Sequence, residues 1–330
     1  MTLLNIKGLA IDVDRDGQTR RLVHDASFSV DRGETLAIVG ESGSGKSLSA
    51  LATMGLLAEG LRVAEGEILF DGRDVAQMPA KEVNDLRGSE IAMVFQEPMT
   101  SLNPVRSIEA QLTEGMRLKM GLGLRAARAR ALDLLREVGI SDPQERLRQY
   151  PHQLSGGMRQ RVMIAIALSC EPRLILADEP TTALDVTIQA QILALTAKLC
   201  RDHDVGLVLI THNLGIVARY AQNVAVMYGG RVIEKATARD LYRAAKHPYT
   251  RGLLASVPRL DLPRETPLSP IPGAPPDPTE VITGCRFHPR CAKATDRCVS
   301  DIPQMRAVEG HEVACWHPNL SQKSKPEVVA

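Results

Sequence analysis

Over residues 1–40, short apolar segments alternate with polar turns at "RDGQ" and "DRGE", which predicts β-strands. The run "ETLAIVG" is continuously apolar and ends on a glycine turn, as a buried strand does, and "KSLSALATMGLL" continues at helical spacing. A hairpin strand and its turn are predicted at "GEILFDGRDV". From about Glu97 to Ser169 the period becomes helical, through "IEAQLTEGMRLKM", "RAARARALDLLREVGI" and "RQRVMIAIALS". The strands "RLILADEP" and "GLVLITH" follow, separated by the helix "VTIQAQILALTAKLC". Strands alternating with helices predict an α/β fold on a parallel sheet, with a helical subdomain inserted at about 97–169.

After about Ala245 the pattern is lost. The stretch "SVPRLDLPRETPLSPIPGAPPDPTE" carries eight prolines and excludes a regular helix or central strand. The expected domains are therefore residues 1–245 and an irregular extension over 246–330. With 3% aromatic residues, the core must be filled by Leu, Val, Ile and Ala. A net charge of +1 gives no bulk attraction to nucleic acid. No apolar run reaches the ~18–20 residues that span a bilayer. The N-terminal segment has no signal-peptide core, so the expected location is the cytosol, with any membrane role exerted through partners.

Chemistry concentrates in three places. "GESGSGKS" (Gly40, Glu41, Ser42, Gly43, Ser44, Gly45, Lys46, Ser47) fits G-x-x-x-x-G-K-[ST] between an apolar strand and a helix. Its glycines let successive N–H groups face one anion, Lys46 supplies a charge for the β/γ-phosphates, and Ser47 offers a hydroxyl to Mg²⁺. "LILADEP" ends a strand in two carboxylates: Asp178 is placed to hold Mg²⁺, and Glu179 to polarise an attacking water. "LSGGMRQR" supplies a second N–H cradle at a helix start, with Ser155, Gly156 and Gly157. Two cradles are too many for one γ-phosphate. They imply two ATPase chains arranged head to tail, each nucleotide lying between the P-loop of one and the "LSGGM" of the other.

This set, with Gln96 in "MVFQEP", "TALD" and His212 in "LVLITHN", resembles the ATP-binding-cassette (ABC) ATPases of membrane transporters over about 235 residues. The resemblance implies a P-loop NTPase of ABC type with an N-terminal antiparallel β subdomain. It implies that Gln96 ligates Mg²⁺ and couples the nucleotide to the helical subdomain. It also implies that His212 contacts the γ-phosphate and that Asp185 lies in a loop crossing the dimer interface. Cassettes usually stack an aromatic ring on adenine; "DGQTRRLVHDASF" has none at the expected place, leaving Arg20 or Arg21 either to stack its guanidinium plane or to be a solvated surface residue. Lys46 to Ser155 spans a normal transporter length, without the coiled-coil insertions of DNA-repair cassettes.

"KHPYTRGLLASVP", the proline-rich strap, "FQEPMTSLNP" and "YPHQLSGGMRQRVMIAIAL" resemble the bacterial dipeptide/oligopeptide importer subfamily; nickel uptake, whose ATPases share its core motifs, and opine or other small-solute uptake are the alternatives. The implied partners are a second related ATPase, two membrane permeases and an extracytoplasmic substrate-binding protein, on the cytoplasmic face of the inner membrane. Cys285, Cys291, Cys298 and Cys315 are spaced C-x5-C-x6-C-x16-C. This is wider than the usual zinc pairs and compatible with a [4Fe–4S] cluster, with which the resemblance associates such a tail. Zinc and free thiols are the alternatives. Cys170 and Cys200 are expected in the core.

Overall fold

The computed structural model describes residues 2–15, 17–95, 101–181, 185–256 and 270–320. β1 (Thr2–Arg15) pairs antiparallel with β2 (Gln18–Asp31) on one side and β4 (Leu61–Phe70) on the other. With β5 (Arg73–Asp74) they form a four-stranded sheet in the order β2-β1-β4-β5. Its inward residues, among them Leu4, Ile6, Phe28 and Phe70, pack with Ile38 and Val208 of a second, larger sheet.

That second sheet runs β11-β12-β10-β9-β3-β8-β7-β6. β3 (Thr35–Val39) lies parallel between β8 (Gly206–Thr211) and β9 (Asn223–Tyr228). β7 (Leu174–Asp178) and β6 (Ile91–Val94) continue the parallel run. All residues of β3, β7 and β8 are buried, which is why these segments read as unbroken apolar runs rather than alternating ones.

α1 (Lys46–Thr53) follows β3 directly, and the short α2 (Ala80–Leu86) follows the first sheet. A helical layer comprises α3 (Ile108–Lys119), α4 (Leu124–Glu137), α5 (Pro143–Arg148) and α6 (Gly156–Leu168). Ser107 caps α3 by accepting from Ala110 N–H, and Glu109 and Lys119 complement the helix dipole at opposite ends. α6 is the layer's core helix: Val162, Ile164, Ala165 and Leu168 are buried among Leu112, Leu135 and Leu209. α7 (Val186–Asp202), α8 (Leu214–Tyr220), α9 (Ala238–Ala244) and α10 (Pro248–Ala255) complete the order up to residue 256.

Beyond residue 270 the chain is less irregular than its proline content predicts. α11 (Asp296–Ser300) is followed by a hairpin of β11 (Arg306–Val308) and β12 (His311–Val313), and β12 joins the main sheet along β10 (Arg231–Thr237). The hairpin turn places Glu309 and Gly310 at positive φ, the form that matches strand twist. Two features weld this segment to the sheet. The buried Glu234 carboxylate accepts from Lys246 N–H (2.7 Å), His247 N–H (2.9 Å) and the His311 ring (Nδ1, 2.7 Å). Phe287 packs its ring against Tyr228 and Tyr249, with centroids 5.1 and 5.5 Å away.

His247 lies fully inside this junction, and burial lowers its pKa to about 3. The unfolded chain takes up a proton below about pH 6.5 that the folded chain refuses until about pH 3, so acid destabilises the fold across that window. Denaturant titrations between pH 6.5 and 4 are expected to show His247 contributing a loss of about 1.4 kcal/mol per pH unit. His247→Asn should flatten the profile by that amount; an unchanged slope would remove His247 as the source.

Candidate functional site

The loop between β3 and α1 is shaped by sterics. Gly40 has φ +156°, and a Cβ there would collide with the Met227 carbonyl oxygen. Gly45 caps α1 at φ +95°, where a Cβ would stand 2.9 Å from Val23 Cγ2. The loop closes on Lys46, whose buried ammonium donates to the carbonyls of Gly40 and Glu41 (both 2.9 Å) and lies 3.4 Å from Ser44 Oγ. Burial pushes the Lys46 pKa down, and the nearby Glu179, Asp178 and Glu41 carboxylates pull it back up. Ser42 and Gly43 are exposed along the same loop.

The two carboxylates of "LILADEP" come to this loop from β7. Ser47 Oγ donates to Asp178 Oδ1 at 2.9 Å. Burial raises the Asp178 pKa, the Ser47 bond works against that rise, and neighbouring Glu179 adds to it. Glu179 stands at φ +43°, in the left-handed region, and its N–H is held by the Ile210 carbonyl of β8 at 2.9 Å. Its carboxylate lies 3.2 Å from His212 Nδ1, just beyond β8. Lys46, Ser47, Asp178, Glu179 and His212 thus gather from three adjacent parallel strands at one end of the sheet. This is where open α/β sheets bind ligands.

The second cradle is built separately. Ser155 caps α6, its Oγ accepting from Met158 N–H at 3.3 Å; Ser155 and Gly156 are exposed. A Cβ on Gly157 would meet Ile188 of α7 at 3.3 Å. Asp185, itself exposed, caps α7 by accepting from Ile188 N–H at 2.9 Å. Gln96 lies outside the described residues. Arg20 is bound within the chain, donating to the Thr279 carbonyl (3.1 Å) and to Gln18 Oε1 (3.0 Å). Sequence reasoning missed two neighbours of the P-loop: Arg290, which pairs with Glu41, and Tyr249, whose hydroxyl accepts from Glu41 N–H. An arginine in "HPRC" carries no local signal of such a contact.

The four clustered thiols correct an expectation. Cys285, Cys291, Cys298 and Cys315 line one cavity of about 10 Å³, the space of a single water. Yet no group of three or more His, Cys, Asp or Glu among the described residues is disposed to hold a metal ion. Burial raises the pKa of Cys285 and Cys291 and brings that of Cys315 to about 11. The iron–sulfur expectation is overturned, and the zinc alternative has no support. Cys170 and Cys200 are buried as expected, with the Cys200 thiol pushed to about 12 by desolvation.

Residues 23–182 match the family described as ABC transporter, and residues 233–298 match the oligopeptide/dipeptide transporter C-terminal region. The dipeptide transport ATP-binding protein DppD of Bacillus subtilis is 48% identical over 316 residues, covering 95% of this chain and 94% of the relative. The DppD protein of Escherichia coli is 46% identical over 327 residues, covering 99% of each. The oligopeptide transport ATP-binding protein OppD of the same organism is 46% identical, covering 96% and 93%. Among solved structures, the dimeric structure of a bacterial ABC transporter cassette has a TM-score of 0.64 at 27% identity, covering 72% of this chain and 99% of that one. A dimeric post-hydrolysis state of that cassette bound to ADP and Pi has a TM-score of 0.63. The chain belongs to the ATP-binding proteins of ABC transporters, in the branch that carries the oligopeptide/dipeptide C-terminal region.

Proposed function

We propose that this chain is the ATP-hydrolysing subunit of a membrane importer of dipeptides or oligopeptides. One observation carries the chemistry: Lys46, the Ser47–Asp178 pair and the Glu179–His212 pair converge on one glycine-shaped loop. The carboxyl-terminal region, shared over nearly full length with peptide-transport relatives, supports the cargo.

The β- and γ-phosphates are assigned to the N–H groups of residues 40–47 and to the Lys46 charge. An anion arriving there replaces loop carbonyls as the ammonium's partner and stabilises its charged form. The Ser47 hydroxyl and Asp178 carboxylate are hard oxygen donors suited to Mg²⁺, which would neutralise charge on the phosphates. Glu179 is assigned to orient the attacking water. As water adds to the γ-phosphorus the Glu179 carboxylate accepts its proton, and the bond to the β-phosphate oxygen breaks, leaving ADP and inorganic phosphate. His212, 3.2 Å from Glu179, is assigned to contact the γ-phosphate. The exposed Ser155–Gly156 cradle is assigned to the nucleotide of a second, related ATPase subunit.

Closure of that pair around ATP would move the helical layer and switch two permease subunits bound to it, with an extracytoplasmic binding protein delivering cargo. No helix among the described residues is long and apolar enough to cross a membrane. We assign permease docking to the helical layer, which exposes Leu118 and Leu124, and place the subunit at the cytoplasmic face of the membrane.

Glu179→Gln is expected to bind ATP with near wild-type affinity while turnover falls about 100-fold or more, trapping the closed pair. Phosphate release by the assembled complex measures this, and unchanged turnover would take Glu179 out of its role. Lys46→Ala should weaken ATP binding by at least about tenfold in a fluorescent-nucleotide titration. Undiminished affinity would mean that the phosphates lie elsewhere.

A further inference from the structure

The C-terminal segment takes hold of the P-loop residue Glu41 at two points. Arg290 donates to both carboxylate oxygens, Nη1 to Oε2 at 2.7 Å and Nη2 to Oε1 at 3.1 Å. This is the bidentate fork geometry in which an arginine fixes position as well as charge. The Arg290 side chain is only 6% exposed. It is braced from behind by the Pro272 carbonyl (2.9 Å) and the Tyr228 hydroxyl (3.3 Å). The second hold is on the backbone: Glu41 N–H donates to the hydroxyl of the fully buried Tyr249 at 3.0 Å. The remaining backbone group, the Glu41 carbonyl, accepts from Lys46 Nζ. One residue therefore joins the phosphate-binding lysine to the extension. Pro278 lies over the same loop, within 3.2 Å of where a Cβ on Gly43 would be.

We propose that the C-terminal segment sets the position of the P-loop through Glu41, with Arg290 and Tyr249 as positioning residues for nucleotide binding. The inference rests on the ATPase reading above and extends it to residues outside the cassette motifs. Neither side chain needs to touch the nucleotide. A loop held in its binding conformation gives up little freedom when the phosphates arrive, whereas a released loop must be ordered by the ligand. The effect falls on affinity rather than on the chemical step, because Asp178 ends β7 and Glu179 follows it directly, on a different element from the loop that Glu41 belongs to.

The test uses the full chain for ATP binding and the assembled complex for turnover. Arg290→Met and Tyr249→Phe are each expected to raise the ATP Kd and KM about tenfold and to leave kcat within about twofold. Arg290→Lys, which keeps the charge but not the fork, should fall between Met and wild type. His311→Gln is the control, since it loosens the same segment at Glu234 without touching Glu41; its Kd should stay within about twofold of wild type. The proposal is overturned if Arg290→Met and Tyr249→Phe bind ATP like wild type. It is equally overturned if kcat falls with KM unchanged, or if His311→Gln weakens binding as much as Arg290→Met. A wild-type chain that binds no ATP would overturn both this inference and the ATPase reading; normal wild-type binding with unaffected variants overturns this inference alone.

Discussion

A buried ammonium at the end of a buried strand organises this protein. Lys46 is 5% exposed, and an isolated charge so placed would cost several kcal/mol. It is tolerated because two loop carbonyls accept from it and three carboxylates lie near enough to favour its charged form. Each partner depends on a different part of the fold. Gly40 must turn against the backbone of β9, Asp178 and Glu179 must end β7, and the Glu41 carbonyl must face inward. The parallel order β9-β3-β8-β7 brings these groups to one place.

The C-terminal segment is part of that arrangement. It adds two strands to the main sheet and closes a small third core around Tyr228, Tyr249 and Phe287. In a chain with 3% aromatic residues, three rings are gathered at this junction. Cys285, Cys291, Cys298 and Cys315 line a small cavity together with Phe287, and no group disposed to hold a metal ion is found among the described residues. The same core carries Tyr249, and the adjoining loop carries Arg290, so the segment's anchorage and its hold on Glu41 share residues.

The P-loop and the Asp178–Glu179 strand end were legible in the sequence because local rules dictate them. A loop that wraps an anion needs glycines at positive φ, and a fully buried parallel strand must read as an apolar run. The helices of the 108–168 layer were legible from their period. The β11–β12 hairpin was not, because three-residue strands are too short to show alternation and the surrounding prolines dominate the composition. Cysteine spacing gave the wrong answer because separation along the chain does not determine how buried side chains are disposed. Arg290 gave no sign of its role, since its partner lies 249 positions away along the chain.

The proposed mechanism requires each chain to carry two half-sites serving different nucleotides. Ser155→Arg separates them. ATP affinity of the isolated full chain should stay within about twofold, since Ser155 caps α6 away from Lys46, while turnover by the assembled complex should fall about tenfold or more. Affinity that falls in step with turnover, or turnover that does not change, would contradict the shared site.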